Sequence, residues 1–333
     1  MRSLPGKRIL FIGTGFYDYE ASIVTRLRRH HAVVDAFFDR PALVRGGPLA
    51  GRLSHPEHKA HWLIERHQGG ILAAVRGSQY DFVLAIKGAD LALPFLEALR
   101  QAQRGAEFIL YLWDTLHKVA GIEERLPYFD RVLTFDRKDA LARPTFQFRP
   151  LFYRDDIAPA PLNRGAAESI DLCFIGWLHS DRLPLMRRVQ SLAEMQRMSV
   201  FLYLYTGVFT WLKLATKRAA RDVHTRPLGY HKVMNTNQRA RAILDFPHKD
   251  QCGITMRAIE AVGLGKKLLT TATDIVNYDF YSADNIRLLE SDDLKLDPAF
   301  VRSPATPLPE HIRLRYSLDS WLAEVFGVAL NPS

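Results

Sequence analysis

The segment GITMRAIEAVGLGKKLLTT, residues 253–271, contains an apolar helical pattern that ends at a glycine and continues into a strand. Apolar residues recur at helical spacing from Ile254 to Val262, and the run KKLLTT at 266–271 has the composition of a short buried strand. A helix that leads directly into a strand is typical of a parallel sheet with helical connections. The segment therefore predicts an α/β fold.

Two charged residues, Arg257 and Glu260, interrupt this apolar helix shortly after Thr255. They are three positions apart and therefore share one face of the helix. Two interpretations are open: the pair forms a surface salt bridge, or it lines a binding site.

The same alternation of short apolar runs and helical patterns extends over the whole chain. In the N-terminal half it predicts strands at 8–15, 32–39, 80–88, 107–114 and 131–136, and helices at 19–30, 57–76, 91–103 and 117–127. In the C-terminal half it predicts strands at 170–178, 199–206, 242–248, 266–271 and 285–290. The pattern predicts parallel sheets with helices on both faces.

The segment 153–169 is rich in proline, alanine and charge, which is the composition of a linker. It separates an N-terminal Rossmann-like domain, 1–152, from a C-terminal one, 170–310; a final helix within 311–333 could cross back to the first domain. The predicted fold class is α/β, with two tandem Rossmann-like domains and a deep interdomain cleft. The length of 333 residues also favours two domains over one.

The composition restricts the class of partner. A hydrophobic fraction of 47% with 24% charged residues is typical of a soluble globular protein. The 45 Lys and Arg residues against 36 Asp and Glu give a net charge of +9, which favours a phosphorylated substrate or an anionic membrane surface. The basic residues are scattered and no nucleic-acid-binding motif is present, so we expect no nucleic acid partner.

The cysteine content and the N-terminus favour the cytoplasm. Cys173 and Cys252 are too few for a disulfide framework in a chain of this size. The basic N-terminus is followed by an apolar run that is too short for a signal peptide. The longest apolar run, 200–212, is shorter than the roughly 20 residues that a membrane-spanning helix needs.

Residues 207–221 predict a basic amphipathic helix that presents Phe209, Trp211 and Leu212 to a partner or to the core. Packing against the core is the first interpretation, and contact with an anionic lipid surface is the second. The second interpretation would place the protein peripherally on the cytoplasmic face of the inner membrane.

The first predicted strand ends in GTGFYDYE, residues 13–20, where Gly13 and Gly15 partly match the fingerprint of dinucleotide-binding proteins. The third glycine of that fingerprint is replaced by Asp18, whose carboxylate would repel a pyrophosphate. Asp39, at the end of the second strand, keeps an NAD-linked oxidoreductase open as an alternative.

Polar residues follow two strands in the C-terminal half. Gly176 lies at the end of one strand, before His179 and Arg182. A second set lies between the strand at 242–248 and the helix that follows it, namely Lys249, Asp250, Thr255, Arg257 and Glu260. Because the carboxyl ends of parallel strands meet at one edge, we expect both sets to face the same site.

The segment ILDFPHKDQCGITMRAIEAVGLGKKLLTTATDIVNYDFYSADNI, residues 243–286, resembles the C-terminal signature of bacterial lipopolysaccharide and capsular polysaccharide biosynthesis proteins. These are glycosyltransferase-like proteins of the GT-B type. Residues 111–140 and 173–182 are similar to further segments of that family. The resemblance covers most of the chain between about residues 80 and 290.

The resemblance implies transfer of a sugar from a nucleotide-activated donor, held by the C-terminal domain, to a growing glycan. A glutamate at the position of Glu260 would accept hydrogen bonds from the nucleotide ribose. The helix start would bind the diphosphate through its free N–H groups and dipole. Arg182, Arg257 and Lys249 would stabilise the leaving diphosphate, and His179 would donate a hydrogen bond.

One position departs from the family pattern. Many retaining GT-B enzymes carry a second glutamate where this chain has Cys252, and Asp250 is the nearest alternative carboxylate. Retention or inversion at the anomeric carbon is therefore open. A non-catalytic subunit that binds nucleotide sugars or glycans is a further alternative.

The N-terminal domain supplies the candidates for the acceptor side. Asp114 is preferred over Asp18 as the general base. Lys87 is a candidate contact for an acceptor phosphate, and Trp113 for a sugar face. We expect a nucleoside diphosphate sugar and a glycan or lipid-linked glycan as substrates, with no cofactor and no bound metal.

Overall fold

The computed structural model describes residues 3–15, 18–42, 61–154, 168–179, 182–217, 219–248 and 251–330. They form two compact units. The first comprises the residues up to Pro150 together with those from Leu318 onward, and the second comprises Leu151–Ser317. Each unit contains one six-stranded parallel sheet, which confirms the predicted α/β class with two Rossmann-like domains.

The strands are β1 Arg8–Gly13, β2 Val33–Phe38, β3 Phe82–Ile86, β4 Glu107–Leu112, β5 Arg131–Thr134, β6 Phe146–Phe148, β7 Ile170–Trp177, β8 Val200–Tyr205, β9 Val223–His224, β10 Ala240–Asp245, β11 Lys267–Thr270 and β12 Ile286–Leu288. The α-helices are α1 Tyr19–Arg29, α2 His61–Val75, α3 Leu93–Ala102, α4 Arg137–Ala142, α5 Arg182–Met195, α6 Val208–Thr216, α7 Tyr230–Gln238, α8 Met256–Gly263, α9 Pro298–Arg302, α10 Glu310–Arg315 and α11 Leu318–Phe326.

The strand order of each sheet reverses once. The first sheet has the order β2-β1-β3-β4-β5-β6, and the chain changes direction between β1 and β3. The second has the order β12-β11-β10-β7-β8-β9, with the change between β10 and β7. Ligands of open parallel sheets bind beside the carboxyl ends of the strands at this switch point. The fold therefore marks one such position in each unit.

The central strands are buried because they carry continuous apolar runs. All five residues of β3 are buried, as expected for a strand that is covered on both faces. Apolar clusters of described residues form the cores; one of them lies on the first sheet and another on the second.

The segment 117–127 is not the predicted α-helix. It contains two short 3-10 helices, Leu116–Lys118 and Leu126–Tyr128. Gly121 lies between them with φ +64°, a left-handed conformation that ends helical winding. Pro127 removes a further backbone donor.

The C-terminal segment contains two helices, α10 and α11. The second of them packs in the first unit, where Trp321 is completely buried and lies edge-on to Tyr111 with ring centroids 4.8 Å apart. Arg26 Nη1 donates to Asp319 Oδ2 at 2.6 Å, which ties α11 to α1. The chain thus returns to its N-terminal unit after completing the second one.

The predicted linker begins inside the second unit. Tyr153 is buried, and a Cβ at Gly263 would approach its ring to 2.4 Å, so only glycine fits at that point of α8. Most of the remainder of the linker, 155–167, lies outside the described residues. Among the described helices none combines the length and the apolar character needed to cross a membrane.

Candidate functional site

Asp245, the last residue of β10, is the centre of a polar network at the switch point of the second sheet. Its side chain is fully buried. Asp245 Oδ1 accepts hydrogen bonds from Thr255 Oγ1 at 2.8 Å and from Arg257 Nη1 at 2.9 Å. Asp245 Oδ2 accepts one from Thr270 Oγ1 at 3.1 Å. The carboxylate therefore fixes the start of α8 against the ends of β10 and β11.

The guanidinium of Arg257 is held in place from several sides. Its Nε and Nη2 atoms donate to the carbonyl of Ile175 at 3.2 and 2.9 Å, and it lies over the Phe174 ring, 4.4 Å from the centroid. A Cβ at Gly176 would come within 2.6 Å of Nη2. A glycine at position 176 is therefore required for the close approach of Arg257 to β7.

The start of α8 has the features of an anion site. Thr255 is the N-cap, and its Oγ1 accepts a hydrogen bond from Ala258 N at 3.2 Å. This bond satisfies one of the backbone N–H groups that a helix start leaves without intrahelical partners. The other N–H groups and the positive end of the helix dipole favour a bound anion, whereas the nearby charge of Arg257 is paired with Asp245.

Arg182 joins two strand ends. Its Nη1 donates to the carbonyl of Trp177 at 2.7 Å and its Nη2 to the carbonyl of Phe246. Burial, together with the nearby charge of Arg257, lowers the pKa of Arg182 to about 10. The sequence predicts that Arg182 contacts a phosphate. Two of its nitrogen atoms instead donate to backbone carbonyls, so part of the guanidinium has the structural role of joining the two strand ends.

The remaining residues predicted to bind the nucleotide-sugar donor either lie near the carboxyl edge of the second sheet or fall outside the described residues. His179 is half-buried, and its ring centroid lies 5.7 Å from that of His248. Glu260 is buried, with 4% of its surface exposed. Lys249 and Asp250 lie outside the described residues.

Arg257 and Glu260 are not a solvent-exposed pair. The carboxylate that Arg257 contacts at 2.9 Å is Asp245, which is itself buried. The structure therefore argues against the surface salt bridge, and the interpretation that the two residues line a binding site stays a prediction.

The turn after β1 in the first unit holds one of the chain's own carboxylates. Glu20 accepts hydrogen bonds from Thr14 N at 2.7 Å, Thr14 Oγ1 at 3.0 Å and Gly15 N at 2.9 Å. A Cβ at Gly13 would lie 2.2 Å from Glu20 Oε2, so glycine is needed there to admit this carboxylate. In the dinucleotide fingerprint such N–H groups receive a pyrophosphate. The NAD-linked alternative therefore loses its main support.

The predicted acceptor-side residues have different environments. Asp18 is exposed at the start of α1 and makes no side-chain cap. Lys87 Nζ and Asp114 Oδ2 form an ion pair of 2.6 Å at the ends of β3 and β4. Trp113 is 8% exposed and packs edge-on to Tyr111, with the centroids 5.8 Å apart. Stacking on a sugar needs an open ring face, so Trp113 is part of the core instead.

Asp39 is a buried carboxylate with an unusual environment at the end of β2. Burial raises the pKa of Asp39 to about 7, opposed by the charge of Arg40 and assisted by those of Asp90 and Glu20. Asp39 Oδ1 accepts from Arg40 Nε at 3.3 Å, whereas Oδ2 has no hydrogen-bond partner among the described residues. The sequence marks Asp39 only as support for the NAD-linked alternative.

Asp245, Glu20 and Thr270 are the polar residues that sequence reasoning missed. The sequence feature that could have identified Asp245 is its position as a charged residue at the end of an apolar strand that precedes the helix at 253–263.

Among the described residues, no group of three or more His, Cys, Asp or Glu side chains is arranged to hold a metal ion.

No protein-family model matches the chain, and no curated protein matches it in sequence. Solved structures match its fold, and three of them are described here. Arabidopsis thaliana UGT89C1 complexed with UDP-L-rhamnose gives a TM-score of 0.53 at 11% identity, over 97% of this chain and 96% of that chain. UDP-GlcNAc 2-epimerase from Neisseria meningitidis bound to UDP-GlcNAc gives 0.52 at 10% identity, over 96% and 99%. The N-terminal domain of Candida albicans trehalose-6-phosphate phosphatase gives 0.52 at 10% identity, over 97% and 94%.

At these identities the likeness establishes the fold alone. The chain has the α/β architecture of two Rossmann-like domains that is called GT-B. Two of the three similar structures hold a nucleotide sugar.

Proposed function

We propose that this protein is a glycosyltransferase that moves a hexosyl or related sugar from a nucleoside diphosphate sugar to a cell-surface glycan or glycolipid. The acceptor class is that of lipopolysaccharide, capsule or exopolysaccharide synthesis. The observation that carries the proposal is the start of α8, where Asp245 fixes Arg257 beside a helix N-terminus at the switch point of the second sheet. That arrangement suits a diphosphate.

The donor diphosphate would lie against the start of α8. Arg257 is held by Asp245, by the Ile175 carbonyl and by the Phe174 ring, so its charge is fixed before the substrate arrives. A fixed charge stabilises the developing negative charge of the leaving diphosphate without reorganisation. Lys249 would add a second cation, and Glu260 would accept hydrogen bonds from the ribose.

The acceptor would be activated by the first unit. Asp114 is the proposed general base, and Lys87 orients it through the 2.6 Å ion pair. An acceptor that carries a phosphate would compete for Lys87 and so bring its hydroxyl group close to Asp114. Asp18 is the second candidate for the base. The proposed reaction uses no bound metal.

A peripheral position on the cytoplasmic face of an anionic membrane is part of the proposal. In α6 the side chains of Val208, Phe209 and Leu212 are exposed, with Phe209 67% exposed, while Trp211 Nε1 donates inward to the Val223 carbonyl at 2.9 Å. Lys213 adds positive charge in the last turn of the same helix. Exposed apolar side chains beside a cation suit the surface of an anionic bilayer.

Vesicle sedimentation tests this position. We expect more protein to sediment with vesicles that contain phosphatidylglycerol than with neutral vesicles, and the excess to fall as salt is added. Phe209→Ser should lower the bound fraction. Equal sedimentation with both kinds of vesicle would refute the membrane position.

A non-catalytic subunit that binds nucleotide sugars is the second candidate. It is favoured by Cys252, which stands where the resembled retaining enzymes carry a glutamate. Such a subunit would bind the donor at α8 without transferring the sugar.

The thiol of Cys252 offers a direct test of donor binding. Cys173 is fully buried, whereas Cys252 is partly exposed just before α8. A maleimide should therefore label Cys252 first, and bound nucleotide should slow that labelling. We expect protection and a thermal shift from one of UDP, GDP or CMP, with NAD as the control. Protection by NAD alone would refute the donor site.

A transfer assay with radiolabelled nucleotide sugar and glycan extracts then separates the two candidates. Incorporation into extract material supports the transferase. Protection of Cys252 without any incorporation supports the binding subunit.

A further inference from the structure

The outer edge of β8 is covered over only part of its length. The neighbouring strand β9 pairs with Leu204 and Tyr205, at the end of β8. In the part of the chain that the structure describes, no other strand lies on that side. The stretch Val200–Tyr203 is therefore an open sheet edge.

The main-chain groups of Val200 and Leu202 point towards this open edge. Leu204 N donates to the Asp222 carbonyl at 3.2 Å, on the β9 side. The N–H and C=O groups of a strand alternate in direction, so those of Val200 and Leu202 face the same side. Among the described residues, β7 pairs with the other side of β8 and β9 reaches only Leu204 and Tyr205, so no strand bonds these groups. Two residues thus present unpaired donors and acceptors.

A cavity of about 440 Å³ lies along this edge. A second cavity, of about 340 Å³, shares with it the lining residues Gln190, Leu202 and Asp222. The Tyr203 ring stacks on His224 with the centroids 3.9 Å apart, and Tyr203 Oη donates to the Arg226 carbonyl at 3.0 Å. The wall of the cavity is therefore built of fixed aromatic groups.

The open stretch has none of the usual protections of a sheet edge. Natural edges are commonly blocked by charged side chains within the strand, by proline or by a bulge. The sequence VFLY at 200–203 is apolar and aromatic and has high strand propensity. An edge of this kind accepts an added strand from another polypeptide.

The lining residues carry an excess of positive charge. The cations Arg187, Arg221 and Lys232 outnumber the carboxylates of Glu194 and Asp222. Asp222 Oδ2 lies 3.8 Å from Arg221 Nε, whereas Lys232 forms no ion pair among the described residues. The charge of Lys232 therefore favours an acidic partner.

We propose that the edge Val200–Tyr203 binds an extended, acidic segment of a partner protein by strand addition. The main chain of the segment pairs with Val200 and Leu202, its apolar side chains enter the cavity, and its carboxylates lie near Lys232. This surface is independent of the proposed glycosyl transfer.

The first test uses a fluorescent eight-residue peptide of alternating Glu and Val with the full-length protein at low salt. Fluorescence anisotropy should show saturable binding. A version of the peptide with every second amide N-methylated should bind at least tenfold more weakly, because methylation removes the strand hydrogen bonds. A Lys-Val peptide should also bind at least tenfold more weakly. Equal binding of the methylated peptide, or no binding at all, would overturn the proposal.

Hydrogen exchange locates the contact. The amides of Val200 and Leu202 should exchange more slowly with the peptide bound, while those of Phe201 and Tyr203, which face β7, serve as the internal control. Lys232→Glu should weaken peptide binding, whereas Lys295→Glu, at another exposed position of the same unit, should not. Dimerisation that protects the same two amides without peptide would overturn the proposal by assigning the edge to a second copy of the chain.

Discussion

The switch points of the two sheets use buried carboxylates in opposite ways. In the first unit Glu20 accepts the N–H groups of Thr14 and Gly15, and so occupies the turn after β1 with negative charge. In the second unit Asp245 lies beneath the site and accepts hydrogen bonds from Thr255 and Arg257. One carboxylate binds the N–H groups of a strand-end turn, and the other holds an arginine at the start of a helix.

Under the proposed function, this difference would let two similar sheets bind different substrates. A phosphate at the first switch point would have to displace Glu20 and would meet the nearby Asp39 and Asp90. A phosphate at the second would meet Arg257 and the start of α8. In the proposed reaction, the carboxyl edge of the first sheet, with Asp114 after β4, would serve the acceptor. The switch point of the second sheet would serve the nucleoside diphosphate.

The largest expected effect concerns catalysis by the first unit. Asp114→Asn keeps the shape of the side chain and removes its basicity. We expect turnover to fall by ~10²–10⁴-fold, the range for a positioned general base, with the affinity for the donor unchanged. Steady-state kinetics and nucleotide titration measure the two quantities separately. Loss of donor affinity would move Asp114 into the donor site, and unchanged turnover would leave Asp18, or no base, in that role.

The next effect is the pH dependence that Asp39 gives to stability. Its pKa is about 7 in the folded protein against 3.8 for an aspartate in water, so the folded state holds the proton more tightly. The stabilisation is complete below about pH 4 and is lost as the pH rises to about 7, on the order of 4 kcal/mol at most. Asp39→Asn should remove this loss, so that the variant is more stable than the parent at pH 8.

Urea unfolding at several pH values measures the effect of Asp39. Asp35→Asn, a half-exposed position on the same strand, is the matched control and should keep the pH dependence. If the free energy of unfolding of the Asp39→Asn variant depended on pH as steeply as that of the parent, the raised pKa would not belong to Asp39.

The third effect tests the supporting role of Asp245. Asp245→Asn leaves the partly buried Arg257 without its counter-charge, which should destabilise the protein by about 3 kcal/mol. Asp114→Asn breaks an ion pair at the corresponding edge of the first sheet, but both of its partners are more than a third exposed. The control variant Asp114→Asn should lower the free energy of unfolding by less than about 1 kcal/mol. Equal destabilisation of the two variants would remove the distinction between the two strand ends.

Local patterns predicted the fold better than the site. The central strands were recognisable because each is a continuous apolar run, as in FVLAI at 82–86. The edge strands β6 and β9 were missed because they have three and two residues and are only partly buried. The α-helix predicted at 117–127 was wrong, because the apolar spacing of that segment does not show that Gly121 adopts a left-handed conformation.

The site residues found from sequence are those whose position alone is informative. Thr255 and Arg257 lie at the start of a helix that follows a strand, and Gly176 lies at the end of another strand. The predicted parallel sheet therefore placed all three at the same edge of the sheet. Asp245 is different, because its partners lie 10, 12 and 25 positions away. Only the tertiary structure brings those side chains together.

The smallest expected effect is a change in donor affinity, and it is tested by replacing the buried glutamate of each unit. Glu260→Gln keeps the volume of a side chain that is 4% exposed and removes its charge, which avoids the cavity that Glu260→Ala would leave. A ribose hydroxyl bonds less strongly to an amide than to a carboxylate, so donor affinity should fall about tenfold. Glu20→Gln should leave donor affinity unchanged, because Glu20 is bound to its own turn. Isothermal titration with the nucleotide measures both variants. A loss in Glu20→Gln, or parental affinity in Glu260→Gln, would place the nucleotide elsewhere than at α8.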